Sequence, residues 1–387
     1  MNPVVAFTII MLIWTVSDFV SKKTNSLLSS LFVASVIFLI GFKSKLFPAD
    51  LLNSSSLLAF GGTVVGMIIV HIGTMISFAE LKKQWKTFVI GFTSILGIVA
   101  ALFVFGPLFE DRNYVVAAIG AISGGTISII MVQEAAEAAG LLTVAVLPVL
   151  IAAFQGLIGF PITAVLLRKE ANRVKADFRA GNLTAGQAEE AAAESKGRLP
   201  KALQSTAGTL FVAGVIVIAS NFISGLTGGV VNTFIIALLF GIVLKSVGIL
   251  KQNMLAGIDA YGLMMLAILI LVFGPLPGIS IHDLIELIIP LLLSFIVGVS
   301  GCVLFAAAAG KLVGYSVHMS IAIGLTSLFG FPGTMILSQE ASKSIGETPE
   351  EREAIEGEIL PKMIIAGFST VTITSVFITS LLVGLIH

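Results

Sequence analysis

Gly124-Gly125-Thr126-Ile127-Ser128, running on to Gln133-Glu134, interrupts an apolar segment with glycines and hydroxyls and then turns polar. Gly330-Phe331-Pro332-Gly333-Thr334, running on to Gln339-Glu340, does the same about 200 residues later. At a constant offset of 206, Gly124 falls on Gly330, Ser128 on Thr334, Gln133-Glu134-Ala135 on Gln339-Glu340-Ala341, and Gly140 on Gly346. The rest of the chain reads as two similar frames, each built around one copy.

The frames are apolar. Of 387 residues, 57% are hydrophobic and 11% charged, and the mean hydropathy is +1.06. A soluble chain carries about 25% charged residues. Apolar runs of roughly 20 residues recur throughout, long enough to cross a ~30 Å hydrocarbon core. An all-α polytopic membrane protein is therefore expected. Lys+Arg and Asp+Glu balance at 22 each, and no basic surface for nucleic acid is visible. Cys302 is the single cysteine, so no intrachain disulfide or cysteine metal cluster can form. Met1-Asn2-Pro3 lacks a basic flank, which reads as a retained first span, not a cleaved signal.

Polar breaks divide the chain into spans at 3–20, 27–42, 56–78, 87–108 and 141–167, with the broken segment at 114–140. After a charged, Ala- and Glu-rich connection the pattern restarts, with spans at 206–226, 229–249, 254–276, 283–309 and 359–386 and a broken segment at 314–346. Charge distinguishes two topologies. If each broken segment is a re-entrant hairpin, 19 of the 22 Lys and Arg fall on one side and 3 on the other. If each crosses fully, the charges mix. The positive-inside rule favours the first arrangement. The expected fold is ten transmembrane helices in two inverted five-helix repeats, each with a re-entrant hairpin. Residues 1–167 form the first repeat, 168–205 a cytoplasmic connecting loop and 206–387 the second. Both termini would lie outside a cell inner (plasma) membrane.

Backbone cannot stay unpaired in hydrocarbon, so broken helices survive at membrane depth only where protein buries them or they line a wet cavity. Paired breaks in inverted halves point to a transporter site near the midplane. Helix N-termini exposed at such breaks attract anions, and free carbonyls with hydroxyls suit Na⁺. The expected substrate contacts are Ser123, Gly124, Gly125, Thr126, Gly330, Pro332, Gly333, Gln133, Gln339 and His71. The expected Na⁺ ligands are Ser128, Thr334, Ser338 and Asp259. Glu134 and Glu340 are ion ligands, gates or markers of the water interface. His71, deep in the third span, is a substrate contact, a proton-linked group or an imidazole bonded between helices. Asp259 is an ion site or a helix-end residue. Gln155 and Asn221 read as interhelical hydrogen-bonders. No enzyme is expected: there is no HExxH, no Walker sequence and no nucleophile–base pair, and the four histidines are scattered. No cofactor is expected beyond the coupling ion.

This layout resembles the glutamate:sodium symporters and the wider group that includes the 2-hydroxycarboxylate transporters. Ser123-Gly124-Gly125 is similar to the start of that family's first hairpin motif, and Gly330 and Thr334 fit its second. Ile72-Gly73 followed by Leu81-Lys82 is similar to the end of its third span. Thr126-Ile127-Ser128 stands where the family has His-Gly-Thr, and Pro332 comes one position before the family proline. The resemblance implies a homodimer, a static scaffold with a mobile hairpin-bearing domain, Na⁺ coupling and elevator-like alternating access. The function expected is a secondary active transporter, Na⁺-coupled symport of a small organic anion (amino acid or carboxylate). A cation/proton antiporter of similar fold and the membrane subunit of a sodium-translocating decarboxylase are the alternatives.

Overall fold

The computed structural model describes residues 1–25, 28–75, 82, 84–183, 199–227, 233–256, 258–274, 276–278 and 281–387. The side chains of Thr126 and Glu134 lie outside that description. Every element among the described residues is helical. The principal helices are α1 Pro3–Lys23, α2 Ser30–Lys43, α3 Leu57–Met75, α4 Trp85–Phe105, α5 Arg112–Ile122, α6 Thr126–Ala138 and α7 Leu142–Arg179. The second half supplies α8 Thr206–Leu226, α9 Thr233–Ser246, α10 Tyr261–Ile270, α11 Ile281–Val313, α12 Val317–Leu325, α13 Gly330–Ile345, α14 Pro349–Phe368 and α15 Ser375–Leu382. A π-helical turn, Ser369–Thr374, joins the last two.

Seven stretches are long and apolar enough to cross a membrane, those built on α1, α3, α4, α7, α8, α11 and the α14–α15 run. Three further expected spans coincide with the shorter helices α2, α9 and α10. Large apolar side chains stay exposed along α8, where Phe211, Val215, Ile218 and Phe222 form one stripe. That stripe has the helical period and suits contact with lipid tails.

Helix starts follow local chemistry. The Asn2 side chain accepts from the Val4 and Val5 amides ahead of Pro3 in α1. Asp111 caps α5, Ser316 caps α12, and Thr348 caps α14 ahead of Pro349. α7 runs on to Arg179, twelve residues past the expected end of the fifth span at 167. Its extension, Arg168-Lys169-Glu170-Ala171, is made of good helix formers, and Arg173 pairs with both Glu170 and Asp177 at helical spacing. Gly181, at φ 75°, lies just past its end. Residues 184–198 of the expected connecting loop lie outside the described residues.

The helices pack as two apolar groups. α4 lies along α11, and with α5, α7, α12 and α14 they form the larger. α3 packs on α8, α9 and α10 to form the smaller. Both groups have very close crossings. A Cβ at Gly97 would overlap the Gly301 carbonyl, and one at Gly301 would overlap the Gly97 carbonyl. Between α3 and α9, a Cβ at Gly73 would overlap the Leu238 carbonyl, and one at Gly241 the Val70 carbonyl. Such small-residue contacts hold helices together where lipid removes the hydrophobic drive between them.

Candidate functional site

α5 ends at Ile122, and the chain turns through Gly124 at φ 99° and Gly125 at φ 86° before α6 begins. Two consecutive left-handed residues are tolerable only as glycine. Space requires glycine as well. A Cβ at Gly124 would overlap the Ser327 carbonyl, and one at Gly125 the Val371 carbonyl. The second break runs from Phe329 through Gly330, at φ 53°, to an extended Phe331 and a cis bond to Pro332. The regular part of α13 therefore starts at Pro332. The two breaks touch each other through Gly124 and Ser327, and both pack on Val371 of the π turn.

A cavity of about 570 Å³ opens at this junction. Gly125, Gln133, Ser327, Gly330 and Pro332 bring both breaks to its wall. Gln155, Gly156 and Phe160 of α7, Val65 and Ile69 of α3, and Phe234 of α9 line the rest of it. The cavity thus lies on the seam between the two packing groups. The helices that start at it, α6 and α13, have first-turn N–H groups with no intrahelical acceptor. Each such end carries roughly half a positive charge.

Hydroxyls and carbonyls gather beside the cavity. Ser128 Oγ donates to Ser375 Oγ at 3.0 Å, and Ser375 Oγ donates to the Val371 carbonyl at 2.8 Å. Thr326 and Thr370 meet through their hydroxyls at 3.0 Å. The buried hydroxyls of Thr334 and Thr374 have no hydrogen-bond partner. The Ser327 hydroxyl has only the Cys302 thiol, a weak donor, beside it. Buried polar groups are ordinarily paired, so the unpaired Ser327 hydroxyl on the wall is a group that a ligand can engage.

The expected site residues separate into those at the junction and those elsewhere. Ser123 is buried, and its hydroxyl donates to the Gly120 carbonyl. Gly333 packs against the Phe329 and Phe160 rings. Ser338 donates to the Thr334 carbonyl within α13. The Thr126 side chain lies outside the described residues. His71 is not a wall residue: its Nδ1 accepts from the Leu255 amide at 3.2 Å and its ring stands edge-on to Tyr261. Its span placed it at membrane depth, but α3 turns that face toward the segment before α10. Asp259 is exposed in the turn preceding α10, apart from the cavity wall. The Gln-Glu echo also divides. Gln133 lines the cavity, whereas the Gln339 amide reaches Glu356 of α14 at 3.5 Å. Glu340 accepts from the Ser30 amide at 3.0 Å and from the Ser30 hydroxyl, at the start of α2.

Sequence reasoning missed the π turn. Ser369-Thr370-Val371-Thr372-Ile373-Thr374-Ser375 carries five hydroxyl residues in seven inside an apolar run, and that density was the available signal. π turns often mark functional positions in helices. It also gave no weight to Phe160, Phe331 and Phe368, whose rings belong to the wall. No protein-family model matches the chain, and no curated protein does.

Proposed function

We propose that the chain is a secondary active transporter that couples Na⁺ to the symport of a small organic anion. The observation that carries this reading is the meeting of two helix breaks at one cavity on the seam between two packing groups. An anionic group would sit at the starts of α6 and α13, held by backbone N–H groups. Na⁺ would sit among neutral oxygens, with Ser128, Thr334, Ser375 and the Ser327 and Val371 carbonyls as the ligand pool. A set without carboxylates suits a monovalent ion better than Ca²⁺, which draws on Asp and Glu. Anion and cation bound side by side would each lower the other's cost of leaving water.

Ten crossings and two re-entrant hairpins are part of the same proposal. Loop contacts support this topology, because they join pairs that it puts on one face. Asn113 meets His387, and the Met1 amino group meets Asp50, all expected outside. Lys175 and Arg179 meet Glu347, and Glu170 meets Ser316, all expected in the cytoplasm. The seam supports alternating access, with α3, α8, α9 and α10 as one body and the hairpins with α4, α7, α11 and α14 as the other. A homodimer in the inner membrane completes the proposal. Among the described residues the wall carries no ionisable side chain, which favours anion symport over proton exchange.

A thermal-shift screen of the purified protein against carboxylates and amino acids, with and without Na⁺, tests this. A ligand must stabilise the state it binds. Stabilisation by an anion that grows with Na⁺ is expected, and a panel with no Na⁺-dependent response contradicts the reading.

A further inference from the structure

We infer that the cargo is a monocarboxylate whose body is apolar and of branched-chain or aromatic size, and that a second charge on that body excludes it. This rests on the transporter reading above and specifies its substrate.

The charge argument comes from the wall. Its described polar side chains are Gln133, Gln155, Ser35 and Ser327, and its described residues include no Lys, Arg, His, Asp or Glu. Two helix starts, each about half a positive unit charge, and the ends of α5 and α12, each about half a negative one, lie at these breaks. Both breaks pack on Val371, through Gly124, Gly125 and Gly330. The four partial charges offset one another, so the starts direct a carboxylate to the breaks without adding net positive charge. Glu134, next to Gln133 in sequence, is an acid and adds no positive charge. With one Na⁺ among the nearby neutral oxygens, a monoanion leaves the cavity close to neutral, whereas a dianion leaves a net negative charge.

The shape argument comes from the apolar part of the wall. Val65 and Ile69 of α3, Phe234 of α9, and Leu271 and Leu276 after α10 line the same cavity as the breaks. Phe331 stacks on Phe368, ring centroids 5.7 Å apart, within the wall. A distal carboxylate would lie against these side chains without a partner, and an unpaired buried charge is strongly disfavoured. A distal isobutyl or phenyl group would instead displace water from apolar surface. The volume of about 570 Å³ lies within the range of pockets for drug-sized ligands, and it leaves space beyond a two- or three-carbon acid.

The test uses matched probes on the full-length protein in detergent with saturating Na⁺, with affinity read by calorimetry. The pairs are 4-methyl-2-oxopentanoate against 2-oxoglutarate, and L-leucine against L-glutamate, with 3-phenylpropionate as the aromatic probe. In at least one pair the apolar member is expected to bind about a hundredfold or more tighter than its dianionic or distally charged partner. Phe331→Ala should weaken that apolar probe roughly tenfold, and Ile69→Ala serves the same purpose should Phe331→Ala not fold. Equal or tighter binding of 2-oxoglutarate or L-glutamate overturns the inference and leaves Na⁺-coupled anion transport standing. Unchanged affinity in the wall variants overturns the placement of the cargo in this cavity. Failure of every probe to bind overturns the inference and contradicts the transport reading with it.

Discussion

At Gly124 the backbone angle and the neighbouring Ser327 carbonyl each exclude a side chain. Gly124→Ala should therefore cost at least about 3 kcal/mol, from left-handed strain plus displacement of a backbone carbonyl. Melting temperature against the wild type checks this, and a shift of a degree or less would show that the break relaxes easily. The hydroxyls at the helix starts make a different prediction. Thr334 Oγ1 is buried and unpartnered, so the near-isosteric Thr334→Val should leave stability unchanged or slightly raised. The same variant, and Ser128→Ala, should weaken the dependence of transport on Na⁺. An unaltered Na⁺ response in both variants would remove these hydroxyls from the ion site. Single residues were unevenly legible in the sequence. Gly124, Gly125 and Gly330 announced themselves because a helix break is a local property of the chain. Ser375 and Thr374 did not, because a hydroxyl that bonds its own helix and one that faces a site look alike in sequence. His71 drew attention as an ionisable residue at membrane depth, yet a backbone amide across the α3–α10 contact occupies it.

Among the elements, α7 does the most to fix the second break. Its side chains line the cavity at Gln155 and Phe160. Further along, Glu170 holds the Ser316 hydroxyl at the start of α12. Lys175 donates to the Ile345 carbonyl and to Glu347, and Arg179 donates to Glu347 and Glu351 at the turn from α13 to α14. One helix thus grips both ends of α12–α13. Hydrogen bonds from Lys175 and Arg179 hold the Glu347 carboxyl below the usual carboxylate value of 4.5. A lowered folded pKa contributes stability above the ordinary value, and that contribution is lost as pH falls through the folded one. Stability should therefore begin to fall below about pH 4.5. Lys175→Ala with Arg179→Ala should flatten that fall, measured as melting temperature against pH. An unchanged slope in the double variant would show that the grip is not coupled to this carboxylate. The clamp was illegible in the sequence because its partners lie about 170 residues apart and the charged run at 168–202 reads equally well as a solvated loop.

At the scale of the whole molecule, the repeat of glycine breaks at an offset of 206 was legible, and so were the seven long apolar stretches. Apolar runs and helix breakers act locally, which is why sequence reports them. The seam between the two packing groups was not legible. It depends on which faces of α3, α9 and α7 turn toward each other, and hydrophobic all-round helices carry little of that information. The seam is nevertheless what gives the two breaks a shared cavity, and alternating access to that cavity is the central claim. Purified protein reconstituted alone into liposomes tests it most directly, with uptake of labelled 4-methyl-2-oxopentanoate and L-leucine followed under an imposed inward Na⁺ gradient. The account predicts uptake of at least one of them above its equilibrium level, abolished when the Na⁺ gradient is collapsed and strongly reduced in Ser128→Ala. Absence of concentrative uptake by the protein alone, or uptake indifferent to the Na⁺ gradient, would contradict it.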